Sequence, residues 1–334
     1  MSVESWLNKV WYGRAPPPWW LRPLSALYGT VSRARRFAYA KRLMRSRRLS
    51  CPVIVVGNLT AGGTGKTPLV CWLALQLTER GFRPGVVTRG YGGSSRRPRL
   101  VRSADKPDIV GDEAVLLARR SKVPVAIGRD RPAAAQLLIN AGCDVIVSDD
   151  GLQHYALARD CEIIVVDGDR RFGNGRLLPA GPLRESPARL RSADAVVING
   201  GAAQSDGALH LRLLATSAIA MKFGTAKPLR EFCSQPAHAI AAIGNPQRFF
   251  ATLRAVGISV VEHPLPDHAR LTLDDISFAD DLAVLMTEKD AVKCEDIAGP
   301  HHWYVPVNVA FAPGDAERLR GIVAGSIEKR ARRA

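Results

Sequence analysis

A short apolar run, Val53-Ile54-Val55-Val56, gives way at Gly57 to the segment Thr60-Ala61-Gly62-Gly63-Thr64-Gly65-Lys66-Thr67. This junction constrains the chain more than any other stretch. A glycine-rich turn between a buried strand and a helix lets successive backbone N–H groups point at one anion, and the helix N-terminus adds partial positive charge. Lys66 then reaches outer phosphates, and the Thr67 hydroxyl is placed to ligate Mg²⁺. The match to G-x-x-x-x-G-K-[ST] lacks its first glycine, which is Thr60 here. The context supplies what the pattern lacks: a strand precedes, and Leu69, Val70, Leu73 and Leu77 follow on one side of a helix, with Pro68 near its start and Gly81 after its end. An ordinary Gly-rich turn meets the same backbone demands, but Gly-Lys-Thr at a helix entry has no purely structural purpose. The segment therefore reads as a phosphate cradle for ATP or GTP, formed by Thr60, Ala61, Gly62, Gly63, Thr64, Gly65, Lys66 and Thr67.

Apolar runs at 53–56, 85–88, 123–127, 144–148, 162–166 and 195–198 alternate with helical patterns at 67–80, 112–120 and 132–141. Such alternation predicts an α/β fold: a P-loop NTPase-like, mostly parallel sheet flanked by helices. From about residue 225 the pattern restarts, with strands at Ala239–Ile243, Ile258–Val261 and Leu282–Met286 and a helix at Gln247–Ala255. The 334 residues accommodate two cores. The expected division is an N-terminal amphipathic, basic segment at 1–48, a P-loop core at 49–224, and a smaller α/β lobe at 225–334 that closes a cleft; the tail from Glu328 to Ala334 reads as basic and frayed. The six cysteines are scattered without a C-x-x-C pair, favouring reduced thiols in the cytosol over a zinc site or disulfide frame.

In an open α/β sheet, ligands bind where the carboxyl ends of the strands emerge, so polar residues just after each run matter most. Asp149 and Asp150 follow one strand as a metal-holding carboxylate would, and two adjacent acids facing phosphates carry a repulsion that Mg²⁺ relieves. Asp112 and Glu113 open a helix; they serve either to complement its dipole or, if Asp112 faces the nucleotide, to accept a hydroxyl proton. Arg89-Gly90-Tyr91-Gly92-Gly93 is a turn able to bring Arg89 and Tyr91 near phosphate or sugar. The stretch Phe172–Glu185 holds too many Gly and Pro for regular structure and reads as a binding loop, its Arg176 and Arg184 suited to an anionic acceptor, with pairing of Arg184 and Glu185 as the alternative. Pro266-Asp267-His268 places an imidazole in a polar turn; by itself that histidine has no assigned role.

The charge is concentrated at one end. Residues 1–50 hold eleven Lys or Arg against the single Glu4, so +10 of the formal +16 lies there. Four of the six tryptophans, Trp6, Trp11, Trp19 and Trp20, fall in the first twenty residues. Val3, Trp6, Leu7, Val10 and Trp11 line one helical face; after Pro16-Pro17-Pro18, Trp20, Leu24, Leu27, Tyr28 and Val31 repeat the spacing ahead of a cationic run. Tryptophan favours the membrane interface, and each Lys or Arg near anionic headgroups contributes about 1 kcal/mol. The segment reads as a helix lying on a membrane, with packing on its own domain and nucleic-acid binding as alternatives. No stretch approaches the roughly 18 apolar residues needed to cross a bilayer, and no signal-peptide cleavage site follows an apolar region.

Taken in order, Gly57-Asn58-Leu59-Thr60, Arg89-Gly90-Tyr91-Gly92, Gly111-Asp112-Glu113, Asp149-Asp150-Gly151-Leu152-Gln153-His154, Gly173-Asn174-Gly175 through Arg184-Glu185, Asp267-His268 and Thr287-Glu288-Lys289-Asp290-Ala291-Val292-Lys293 resemble the tetraacyldisaccharide 4′-kinase family, the lipid A 4′-kinases of Gram-negative bacteria. The likeness covers nearly the whole chain, and a small hydroxyl residue at the Thr60 position is compatible with it. The resemblance implies transfer of the ATP γ-phosphate to the 4′-hydroxyl of a tetraacylated glucosamine disaccharide 1-phosphate, by a peripheral enzyme on the cytoplasmic face of the inner membrane. It also implies that Lys66 stabilises the transferring phosphate, that Thr67, Asp149 and Asp150 hold Mg²⁺, and that Asp112 takes the hydroxyl proton while His268 hydrogen-bonds and tunes it. The acylated lipid is the expected partner and nucleic acid is not. The competing readings are a P-loop ATPase acting with nucleic acid, motivated by the basic pI of about 10.1, and a soluble small-molecule kinase whose N-terminal helix merely packs.

Overall fold

A computed structural model describes residues 3–102, 104–201 and 207–332. Of the predicted features, the Val3 side chain and the tail residues Arg333 and Ala334 lie outside the described residues. Two helices come first, α1 (Val3–Tyr12) and α2 (Leu21–Ala40), followed by β1 (Val53–Gly57), which is buried throughout. The chain continues through α3 (Lys66–Glu79), β2 (Pro84–Thr88), β3 (Arg99–Leu100), α4 (Pro107–Val110), α5 (Asp112–Ser121), β4 (Val125–Ile127), α6 (Arg131–Asn140), β5 (Val145–Asp149), β6 (Cys161–Asp167), β7 (Ala195–Asn199) and β8 (Leu209–Leu214). The predicted strand at 123–127 starts only after Pro124, whose ring nitrogen has no hydrogen to donate to a ladder.

Beyond β8 come β9 (Ser217–Ala220), β10 (Ala226–Pro228), β11 (Ala237–Ala241), α7 (Pro246–Val256), β12 (Val260–Pro264), α8 (Leu273–Ile276), β13 (Val284–Thr287), α9 (Glu288–Cys294), β14 (His302–Val305), β15 (Asn308–Phe311) and α10 (Asp315–Ala331). Among the described residues, nine strands form one sheet in the order β15-β8-β7-β6-β1-β5-β2-β4-β3, and six form a second in the order β10-β9-β14-β13-β11-β12. The large sheet is parallel from β8 to β4, with antiparallel strands at its two edges. Its inner strands read as continuous apolar runs because helices and the loop layer cover both faces. Separate clusters fill those faces, one around Ile54, Leu73 and Val147 and another around Val55, Leu138 and Ile146.

The sheets divide the chain differently from the expected boundary at residue 225. β9 joins the second sheet eight residues earlier than that, whereas β15 and α10 return to the first, where Leu319, Val323 and Ile327 enter its core. The tail predicted to fray from Glu328 is helical to Ala331, anchored where the Arg330 guanidinium donates to the Leu49 carbonyl at 2.9 Å. The second sheet is thus inserted between two neighbouring strands of the first, and the chain crosses between them only through Ala215-Thr216 and Pro306-Val307.

Helix α1 is fastened to the 172–185 loop: the Trp11 indole donates to the Pro179 carbonyl at 2.9 Å, and Asn174 donates to the carbonyls of Trp11 and Val10. Along α2, Leu21, Ser25, Tyr28 and Gly29 face the protein, with the Ser25 hydroxyl donating to the Leu177 carbonyl at 2.8 Å. Its other stripe, Trp20, Leu24, Leu27 and Val31, is exposed. No helix among the described residues is long and apolar enough to cross a membrane.

Candidate active site

The parallel register sets the carboxyl ends of β1, β5 and β6 side by side. Val56 of β1 pairs with Asp149 of β5, and Gly57 pairs with Ile164 of β6, so the turn leaving β1 emerges level with Asp149. A cleft of about 840 Å³ opens over these ends and is roofed by the small lobe. Gly62 through Thr67 form its floor, Asp149 and Asp150 one wall, and Asp267, His268 and Lys289 part of the roof.

Two side-chain amides, one within the turn and one at the end of β7, hold it in shape. The Asn58 amide donates to the Gly62 carbonyl at 3.3 Å and the Asn199 amide to the Thr64 carbonyl at 3.0 Å. Gly65 caps α3 at φ 85, and a Cβ there would meet Asn199 Nδ2 at 2.3 Å, so glycine is required on two counts. Thr60 and Ala61 serve as the cradle's root and do not line the cleft: Thr60 is buried, bridging to Leu183, and the Ala61 N–H donates to the Pro182 carbonyl at 2.8 Å. The loop expected to bind an acceptor therefore also braces the cradle.

Lys66 Nζ stands 3.5 Å from Asp150 Oδ1, and the Arg184 guanidinium 3.0 Å from Asp150 Oδ2. Arg184 pairs with Asp150 and not with its neighbour Glu185, which accepts from the Tyr155 hydroxyl at 2.7 Å. Burial pushes the Asp150 carboxyl up, but the two cations outweigh it and hold it well below the usual carboxylate range. Asp149 behaves oppositely: buried and close to Glu113, its carboxyl is held above that range, with Lys66 opposing the shift. Its Oδ1 and the Thr64 hydroxyl find no hydrogen-bond partner among the described residues. A buried acceptor left open at a phosphate site matches what Mg²⁺ needs, since this ion commonly binds one or two carboxylates and completes its shell with phosphate and water. No cluster of three or more His, Cys, Asp or Glu side chains suited to a metal occurs among the described residues. The protein's share of any metal shell is therefore partial, with Thr67, Asp149 and Asp150 as the available donors.

Asp112 is the first residue of α5, and Lys289 the second residue of α9 in the opposite lobe. The His268 imidazole links the two: its Nδ1 lies 3.1 Å from Asp112 Oδ2 and its Nε2 3.2 Å from Lys289 Nζ. The Tyr91 ring packs against the imidazole at 4.6 Å, and Arg89 also lines the cleft. Asp112 itself is only 5% exposed and stands behind the wall formed by Glu113, His268 and Lys289. Burial raises its pKa, but the His268 hydrogen bond and the Lys289 charge reverse the direction, so it is ionised below the usual range. Asp150 and His268 are both non-glycine residues with positive φ, 47 and 59, a costly backbone state concentrated at functional positions.

Two residues of this site escaped the sequence reading. Arg131 is fully enclosed beneath Asp149 and Asp150, its guanidinium donating to Ser148 Oγ at 2.8 Å and to the Asp149 carbonyl at 2.6 Å. A lone Arg after Asp130 at a helix start looks like a solvated charge, and only the fold reveals that it underpins the acidic pair. Lys289 stood within a recognised segment but carried no assigned role.

Comparison with known proteins accords with this geometry. The family model for tetraacyldisaccharide-1-P 4′-kinase matches residues 17–326. The tetraacyldisaccharide 4′-kinase of Nitrosococcus oceani is 47% identical over 331 residues, covering 98% of this chain and 97% of that protein. The enzyme of the same description from Alkalilimnicola ehrlichii is 51% identical over 319 residues, covering 93% and 95%. Among solved structures, the "apo" form of LpxK from Aquifex aeolicus in complex with ATP superposes with a TM-score of 0.76 at 27% identity, over 91% of this chain and 98% of that one.

Proposed function

From the premise that this chain belongs to the tetraacyldisaccharide-1-phosphate 4′-kinase family, and so is an ATP-dependent kinase of lipid A biosynthesis acting on the 4′-hydroxyl of the acylated disaccharide, we propose how its residues divide the work. The backbone N–H groups of Gly62 through Thr67 hold the phosphates, and the Lys66 ammonium neutralises charge on the group in transit. Thr67 and Asp149 hold Mg²⁺, with Asp150 keeping Lys66 and Arg184 in place beside it. Bound there, the ion would offset negative charge on the phosphate oxygens. Asp112 accepts the proton of the acceptor hydroxyl, and His268 orients and tunes it. Both groups that cover Asp112 Oδ2, His268 and Lys289, belong to the small lobe, so movement of that lobe controls access to the base.

The observation that carries this reading is the convergence on one cleft of Lys66 and Asp149 from the large lobe with His268, hydrogen-bonded to Asp112, from the small lobe. It is tested by phosphate transfer from labelled ATP to the acyl-disaccharide 1-phosphate. Asp112→Ala should lose turnover by about 10²–10⁴-fold while ATP still raises its melting temperature. Near-native turnover would remove Asp112 as the base.

Residues 1–48 are proposed to seat the enzyme on the inner-membrane surface, the large sheet, from residue 49 with β15 and α10 returning to it, to carry the nucleotide, and the inserted lobe at 217–305 to close the cleft. What supports the membrane role is α2's outward stripe, with Leu27 63% and Val31 59% exposed, next to Arg33, Arg35 and Arg36. Tyr28, on the same helix, lines the cleft, so the lipid-facing surface and the acceptor end of the site lie on one element. Leu27→Glu with Val31→Glu should release the protein from anionic vesicles without changing ATP protection. Unaltered vesicle sedimentation of this variant would refute the assignment.

A further inference from the structure

We propose that Lys289 is a positioning residue for phosphate transfer, holding the Asp112–His268 pair in the protonation state that accepts a proton. The inference rests on the reading of Asp112 as the base.

Four groups surround the Lys289 ammonium: Glu113 Oε1 at 3.1 Å, His268 Nε2 at 3.2 Å, Asp267 Oδ1 at 3.6 Å and Asp112 Oδ2 at 3.9 Å. Its side chain is 15% exposed. The first turn of a helix is an unfavourable place for a cation, because the helix dipole is positive there. A purely structural bridge between lobes has no need to sit at such a point, and Arg119–Glu295 and Arg120–Glu288 already join α5 to α9. The position gains its stability from three carboxylates, although any one of them balances the single positive charge. Asp112 is engaged from the other side by His268 Nδ1.

The consequence for the imidazole follows from donor geometry. Burial lowers the Lys289 pKa, but Glu113, Asp112 and Asp267 reverse the direction and keep the ammonium charged. An ammonium 3.2 Å from Nε2 requires a lone pair on that nitrogen, since two N–H donors do not face each other at this distance. The ring proton is then on Nδ1, donated to Asp112 Oδ2. Lys289 thus disfavours the imidazolium and fixes the tautomer, while its charge favours the ionised Asp112. Three other groups face the pair: the Glu113 N–H donates to Asp112 Oδ1 at 2.8 Å, Asp267 Oδ1 lies 3.8 Å from His268 Nε2, and the Tyr91 ring packs against the imidazole. Burial lowers the His268 pKa, but the hydrogen bond to Asp112 and the Asp112 and Asp267 charges carry it above the ordinary imidazole value, and Lys289 opposes that rise.

Removing the ammonium raises the pKa of both groups, so the base is protonated over a wider acidic range. The experiment is the pH dependence of kcat for the full chain in detergent micelles, with ATP and the acyl-disaccharide 1-phosphate, comparing the native protein with Lys289→Met, Lys289→Gln and Lys289→Arg. For the Met and Gln variants the acidic limb should move up by about 1–3 pH units, with KM for ATP within about twofold, and the Arg variant should restore the native limb. A limb that stays in place in both neutral variants overturns the proposal, as does an Arg variant that fails to restore it. The native protein gives a measurement that needs no lysine variant: ¹⁵N shifts of His268, assigned by comparison with His268→Gln, should report protonated Nδ1 and unprotonated Nε2 at neutral pH. A doubly protonated ring, or the other tautomer, would overturn the proposal. Asp112→Ala separates the two readings. Turnover retained in that variant defeats the base assignment, whereas loss of turnover with an unmoved limb in the Lys289 variants defeats the Lys289 role alone.

Discussion

Gly65→Ala makes a quantitative test of how the cradle is held. The new Cβ imposes two separate costs. At φ 85 an alanine occupies a left-handed conformation, which costs about 1–2 kcal/mol. It also meets Asn199 Nδ2 at 2.3 Å, and the amide cannot move aside without giving up its 3.0 Å hydrogen bond to the Thr64 carbonyl, worth about 0.5–1.5 kcal/mol. The expected loss is about 2–3 kcal/mol. For a chain of this length that corresponds to a fall in melting temperature of about 3–5 °C. Two neighbours calibrate the result. Gly62 shares a positive φ of 101 but has open space where its Cβ would go, so Gly62→Ala should cost the backbone strain alone. Gly63 has open space and no such backbone constraint, so Gly63→Ala should stay within about 0.5 kcal/mol of native. Guanidinium denaturation of the three variants gives the ranking, and the cycle Gly65→Ala with Asn199→Ala should show coupling of about 1 kcal/mol. The reasoning fails if Gly65→Ala costs no more than Gly62→Ala, or if the cycle is additive.

Lys66→Ala should lower kcat by about 10²–10³-fold and weaken ATP binding as well, read from single-turnover kinetics; a loss confined to KM would remove its role in the transferring charge. Arg131→Met leaves the carbonyls of Asp149 and Asp150 without their buried donor and should destabilise the fold by about 3–5 kcal/mol, measured by denaturant unfolding; a stable variant with native turnover would contradict the underpinning role. His154 is held below the ordinary imidazole range, to about 4, by burial and then by Arg131, Arg35 and Arg159. Between that value and the unfolded pKa of about 6.5 the unfolded chain binds more protons, so native stability falls as pH drops through this window. The ring is partly solvated, which reduces the effect to about 1–2 kcal/mol. His154→Gln should flatten the dependence, and an unchanged slope in pH-resolved unfolding would exclude His154 as its source.

Much of the architecture could be read from the residues because the local signals and the tertiary environment agree. Val53–Val56 is apolar on both faces, and both faces are covered; Asp149, Asp150 and the cradle fall at strand ends, where register alone brings them together. The sequence was less informative wherever a role depended on contacts across the chain. No spacing tells that Arg184 crosses to Asp150 in preference to Glu185, that Asp112 meets an imidazole 156 residues away, or that the Arg131 charge is enclosed. The N-terminal segment shows both outcomes at once. The amphipathic spacing of α1 and α2 was legible, but only packing reveals that Trp11 turns inward to Pro179 while Leu27 and Val31 turn outward. The lobe boundary was misplaced because pattern restarts mark elements, and an inserted lobe returns its last strand to the sheet that it left.

That return has a bearing on how the protein is made. Synthesis proceeds from the amino end, so the N-terminal helices and the cradle leave the ribosome long before β15 and α10, which supply an edge of the nucleotide sheet and part of its core. The intervening lobe, by contrast, has all of its strands once Val305 has emerged. During translation the half that binds ATP must therefore wait, incomplete and with apolar surface showing, for its closing helix. Chains truncated at Val307 and released from the ribosome should be protease-resistant over the inserted lobe and sensitive over the cradle.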